Sequence, residues 1–189
     1  MRQSITDRYD KDADGRVIID VTAASMKDLY DRFDSTANYN KKDLDLKFAE
    51  YLIQSVNEIK RHPFLIRINL EHPETPENME RVRGSVRHYF EYQQERQRHE
   101  INKHLGRFCY FLGLGITLVF ISLFLRSRYG AAGNIFTDLG IEGLTIVAWV
   151  SMWEGVSNLI FEWVPHFQRY RQYGRIANGP VHFRQPTQP

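Results

Sequence analysis

Phe108–Leu125 reads FCYFLGLGITLVFISLFL, 18 residues without a charge. At about 1.5 Å per residue this makes roughly 27 Å of helix, close to the hydrocarbon thickness of a bilayer. A core helix of a soluble protein would keep a polar face, and this stretch has none. Ile141–Val164 is a second membrane-length segment, interrupted by Glu154, Gly155, Ser157 and Asn158 and ended by Pro165. Backbone in lipid must satisfy its own hydrogen bonds, so both segments are expected to be helical. The chain therefore reads as a membrane hairpin, with the lipid bilayer as its first partner.

The basic flanks orient the hairpin. Arg96, Arg98, Lys103 and Arg107 precede the first span, and Arg169, Arg171, Arg175 and Arg184 follow the second. The connection carries only Arg126 and Arg128, so the bias is eight against two. The positive-inside rule places both termini in the cytoplasm and the protein in the cell inner membrane. MRQSITDRYDKDADG has no apolar segment, so no signal peptide is expected and the spans themselves direct insertion.

The remainder is polar, and its apolar residues are periodic. Arg16–Val21 alternates, with Val17, Ile19 and Val21 on one face; Phe64–Leu70 (FLIRINL) alternates more cleanly. Both read as strands. Leu44, Phe48, Leu52, Val56 and Ile59 recur at helical spacing, which predicts a helix over 44–60 stopped by His62-Pro63. A short helix is expected around Ser25–Phe33, then an Asn- and Lys-rich loop. Thr75-Pro76 opens another helix, with Met79, Val82, Val86 and Phe90 as its apolar stripe. Beyond Phe90, QQERQRHEINKH is polar nearly all round and reads as a solvated helical stalk.

The expected fold class is α+β: a small cytoplasmic domain of two to three strands and two helices, with a long helix running into a two-helix transmembrane hairpin. The domain spans 1–92, with 1–15 flexible; the stalk is 93–107. The spans are 108–125 and 141–164, joined by an external loop, 126–140. A basic tail, 165–189, follows, and its HFQRYRQYGR suits a helix at an anionic membrane surface. Two strands make a marginal sheet. Residues 180–184 (PVHFR) can supply a third, and a homo-oligomer or another membrane subunit is the other way to complete it.

Several residues carry candidate chemistry. Glu154 shares a helix face with Ser151 and Asn158, and more loosely with Glu162. An intramembrane carboxylate usually pairs across helices, contacts a partner, or lines an ion or proton path. Cys109, Gly113 and Thr117, and Ser151 with Gly155, are small residues at four-residue spacing, a pattern that lets helices approach closely. Asp10, Asp12 and Asp14, before Gly15, match the first half of a calcium loop, but Val21 stands where the bidentate Glu belongs. Glu95/His99 and Glu100/His104 lie four apart and suit ion pairing or metal ligation. A net charge of +2 is too small to imply a nucleic-acid footprint, and Cys109, the single cysteine, excludes an intrachain disulfide. No phosphate loop, nucleophile–base pair or paired acid–base site is visible.

Trp149–Pro165, WVSMWEGVSNLIFEWVP, with its basic tail and the upstream FLIRINL strand, resembles an uncharacterised family of bacterial two-span membrane proteins. Glu162 and Trp163 fit that pattern. The family tends to have a basic residue and a proline where this chain has Glu154 and Gly155, and an acid at Ser157. It has no known activity, so the resemblance implies architecture alone. The expected role is that of a non-enzymatic scaffold or accessory subunit. The alternatives are a subunit of an ion- or proton-coupled complex using Glu154, or a membrane-tethered calcium or ligand sensor.

Overall fold

The computed structural model describes residues 8–30, 44–129 and 134–184; the Asn- and Lys-rich loop lies outside them. Helix and strand are mixed. The chain forms two compact units, one from the described residues up to Glu95 together with those from Tyr170 onward, the other Arg96–Arg169.

In the first unit, β1 (Val17–Ala23), β2 (Phe64–Leu70) and β3 (Val181–Arg184) form one sheet in that order, parallel throughout. Val17 stands opposite Phe64 and Ile66 opposite Val181. Parallel neighbours need crossover connections. Among its described residues the first crossover has a 3₁₀ turn, Met26–Leu29, within the stretch expected as a short helix, and then α1 (Leu46–Ile59). The second contains everything from α2 to α4, so the apolar helices lie inside a strand-to-strand connection. The third strand completes the thin sheet as 180–184 predicts.

One sheet face carries the core. Val17, Ile19 and Val21 meet Phe64, Ile66 and Ile68 there, under Phe48, Leu52, Val56 and Ile59 of α1. Asp45 starts α1 by accepting the N–H groups of Lys47 (3.0 Å) and Phe48 (3.1 Å). Val82, Val86 and Phe90 reach the same core from α2 (Pro76–Tyr129), as their spacing predicts. The other face holds a polar ladder. Asp20 stands in register with Arg67 and takes its Nε at 2.5 Å and Nη2 at 2.6 Å, with Asn69 Nδ2 at 3.1 Å. The Arg67 hydrogen bonds, assisted by Asn69, hold the Asp20 carboxyl below its usual range.

A group whose folded pKa is depressed stabilises the fold above its unfolded pKa and loses that contribution as pH falls through the folded one. Asp20→Asn should therefore destabilise the unit at pH 7 by about 1–2 kcal/mol, the range of a partly exposed charge-assisted pair. Chemical denaturation at pH 7 and pH 3 checks this: the gap between variant and parent closes at the acidic end.

The second unit is a pair of apolar helices, the lower part of α2 and α3 (Ile135–Asn158), followed by a π-helical turn, Leu159–Trp163, and the start of α4 (Val164–Ala177). α2 is one helix of 54 residues. Helix extends to Tyr129 and resumes at Ile135, so most of the 126–140 segment expected as loop is helical.

Three further expectations are corrected. Pro165 does not end the second helix, because the Val164 N–H bonds the Leu159 carbonyl five residues back and helix continues to Ala177. A proline has no N–H and so needs no acceptor, and the wider turn just before it makes room for its ring. Of the segment 165–189, the described residues 165–184 are no free basic tail: α4 sends Ile176 into the core, packs Tyr173 against it, and leads into β3. Of 1–15, expected to be flexible, residues 1–7 lie outside the described residues and 8–15 are tied down: Lys11 bridges Val17, and the Tyr9 hydroxyl donates to Glu58 Oε2 at 2.7 Å.

Candidate functional site

The apolar helices expose what a soluble core would hide. Only 11% of the most apolar window of the first helix and 17% of the second is buried. Phe120, Phe124, Phe136, Trp149, Trp153 and Phe161 all point outward. Two helices are thus long and apolar enough to cross a membrane.

Their contact is narrow. Gly115, Ser122, Ile141, Ala148, Ser151 and Gly155 are buried. A Cβ on Gly115 would run into Met152 Cγ and lie 3.0 Å from the Ala148 carbonyl oxygen. One on Gly155 would lie 3.4 Å from the Phe108 carbonyl oxygen and from Phe111 Cβ. Ser151 and Gly155 are packing residues, as their spacing predicts. Cys109, Gly113 and Thr117 are exposed instead, and Thr117 bonds back to the Gly113 carbonyl at 2.8 Å. The packing glycine of α2 lies two residues beyond Gly113, at Gly115. Helical spacing identifies a stripe of small residues; it does not say whether that stripe or a lone glycine beside it meets the neighbour. Deeper along the pair, Ser122 Oγ and Thr145 Oγ1 lie 2.7 Å apart, a hydroxyl contact that lone Ser and Thr residues in an apolar run do not announce.

Glu154 is exposed and meets no hydrogen-bonding or ion-pairing side chain among the described residues. Its face differs from that of buried Ser151, whose hydroxyl bonds the Val147 carbonyl at 2.9 Å. Of the three roles open to Glu154, pairing across the hairpin is not made among the described residues. Asn158 is partly buried, and its Oδ1 has no partner among the described residues.

The polar centre lies at the charged end of the pair. His104 of α2 is buried, 8% exposed, and stacks on His166 of α4 with ring centroids 5.3 Å apart and planes 19° from parallel. One ligand-type atom each of His104, Glu162 and His166 lies within 4.8 Å of the others. His166 Nδ1 lies 2.7 Å from Gln97 Oε1, and His104 Nε2 lies 4.0 Å from Glu100 Oε2. Trp163 stacks on Phe167 at 5.0 Å beside them. The stretch expected as a solvated stalk thus buries His104 and half-buries Gln97 and Glu100, which apolar periodicity cannot register. His166, 62 residues after His104, was missed for the same reason: neither has an apolar signature, and only the folding back of α4 brings them together.

The acidic loop is arginine-held. Arg16 Nη2 lies 3.0 Å from Asp12 Oδ2 and 2.6 Å from Asp14 Oδ2, and Arg67 Nη2 lies 3.6 Å from Asp10 Oδ2. The Ala13 N–H and Arg16 lower the Asp12 pKa. Gly15, at φ 75°, closes the turn and β1 follows, where a calcium loop would feed a helix. Elsewhere in the first unit, Arg16, Arg61, His62, Arg171 and Arg175 line a basic groove of about 730 Å³. Arg175 is tied to it, bonding the Lys60 carbonyl and, at 2.8 Å, that of His62; its guanidinium sits over the Phe64 ring. Burial first, and then nearby Arg171, pulls the Arg175 pKa down.

Comparison with protein-family models, curated proteins and solved structures finds no match.

Proposed function

We propose that this chain is a non-enzymatic integral protein of the cell inner membrane, acting as a scaffold or accessory subunit, with both ends of its hairpin on the cytoplasmic side. The pairing of β2 with β3 carries the topology. One strand precedes the apolar helices and the other follows them, so a chain that crosses and forms this sheet must return to the side it left. The basic flanks assign that side to the cytoplasm.

The outward position of Glu154 supports the subunit role. An unpaired carboxylate on a lipid-facing surface is costly, and such groups usually find a partner or a watery cavity. The described residues of this hairpin offer none, so a second membrane segment, from another copy or another protein, is the fitting one. Such a contact would also cover the exposed Val150 and Trp153 on neighbouring positions.

The test is the mass of the particle extracted in mild detergent. The parent should resist alkaline carbonate washing and run larger than one chain in its micelle. Glu154→Leu should shrink it to a single chain while remaining membrane-bound. A parent that is recovered from the soluble fraction, or that is already a single chain, sinks the proposal.

A further inference from the structure

We propose that His104, Glu162 and His166 bind one divalent transition-metal ion of the zinc class where the helical pair meets its charged end. Nothing in the scaffold reading requires such an ion, so the two proposals stand or fall separately.

The donor set selects the metal. Two imidazoles and one carboxylate suit zinc and its first-row neighbours, whereas calcium and magnesium want an all-oxygen shell. Three protein ligands leave the fourth tetrahedral position for water or another group. Ligand atoms on tetrahedral zinc stand roughly 3.4 Å apart, given bonds of about 2.0–2.1 Å. The three donors here already lie within 4.8 Å of one another. Closing that difference takes side-chain adjustment only.

The surroundings are those of a ligating centre. Gln97 Oε1 accepts from His166 Nδ1 at 2.7 Å, which fixes the proton there and leaves the Nε2 lone pair available. His104 offers the complementary arrangement, with Glu100 on its Nε2 side and a buried Nδ1 that has no partner among the described residues. An unsatisfied buried nitrogen carries a desolvation penalty, and a metal ion is a partner that removes it. Asn158 Oδ1 and Trp163 Nε1 are also buried without partners. Three of the five such atoms among the described residues thus fall in the second unit, and native proteins rarely leave such groups without a reason.

The backbone contributes as well. Glu162 lies within the π turn and His166 in the first turn of α4. A π turn inserts one residue and re-aims the side chains it carries, a device common at functional sites. Two rings stacked 19° from parallel cannot both hold one ion in their own planes, so binding turns one of them about χ2, a soft torsion. His166 is held by Gln97, so His104 is the ring that turns.

Zinc binding by the full-length, tag-free protein in detergent tests this, after stripping with a chelator and titration against a chromophoric competitor. One ion per chain is expected. His104→Gln and His166→Gln should each weaken binding on the order of 100-fold or more, since loss of an outer-shell group alone costs about 10–100-fold. Gln97→Ala should fall within that outer-shell range, and His88→Gln, on the exposed surface beside Glu91, should bind as the parent does. Should a histidine variant not fold, the exposed Glu162→Gln serves with cobalt as probe, and its visible ligand-field spectrum should change from the parent's. Parent-like affinity in both histidine variants, an unchanged cobalt spectrum in Glu162→Gln, or no stoichiometric zinc overturns the proposal.

Discussion

Phe90→Ala is expected to destabilise the strand-bearing unit by about 3–5 kcal/mol, the range for emptying a fully buried aromatic site. Phe90 is 0% exposed, packs edge-on against Tyr89 at 5.2 Å, and faces Tyr173 of α4 at 6.0 Å. It closes the apolar stripe of α2 and joins the two helices that flank the apolar pair to one core. Collapse around the cavity is limited, because its walls are a helix, a sheet and a second helix that must all move together. The urea midpoint of the detergent-solubilised protein, followed by near-ultraviolet dichroism, reads the loss. Tyr92→Ala, two residues on and largely exposed, should change stability by no more than about 0.5 kcal/mol. Equal effects from the two variants would mean that Phe90 does not anchor the core.

Gly115→Leu should have the next largest effect, pushing α2 and α3 apart. The first added carbon already meets Met152 Cγ and the Ala148 carbonyl oxygen. Met152 is flexible and can swing aside; the carbonyl belongs to a helix backbone and cannot. Overpacking of this kind costs about 1–3 kcal/mol and more when backbone must shift. In a membrane no hydrophobic force draws the helices back together, so close packing is most of what holds them. Gly113→Leu, on the outward stripe with open space around it, should be neutral by the same detergent melting assay. Adding Met152→Ala to Gly115→Leu should restore part of the loss, because it frees the side-chain clash and leaves the carbonyl one. If Gly113→Leu proves the more damaging, the packing face is misassigned.

The contrast between Gly113 and Gly115 shows where one-dimensional reading stops. Spacing finds small residues on a helix, yet the glycine that packs, Gly115, has Phe111 and Val119 four positions either side and belongs to no such period. Which glycine packs depends on how α3 lies against it, and that depends on Ala148, Ser151 and Gly155 about forty residues away. The strands divide in the same manner. Val17, Ile19 and Val21 alternate because one face is buried, so the strand and its inner face are legible. Their parallel pairing with Phe64, Ile66 and Ile68 is not, since alternation is the same in either direction. The short VHFR could be marked as a possible strand only because a two-stranded sheet lacks a neighbour.

What the sequence determined by itself is local: two charge-poor lengths that match a bilayer, a clean strand at FLIRINL, and the amphipathic stripes of α1 and of the start of α2. Each follows from solvent preference repeated at a fixed period, which neighbouring residues suffice to express. Only the tertiary structure decided that helix runs on through Pro165, because a π turn absorbs the missing donor. It alone turned Glu154 outward and left it without a partner. It also brought His104 beneath His166, through the antiparallel return of α4 past polar residues that no hydrophobic pattern marks.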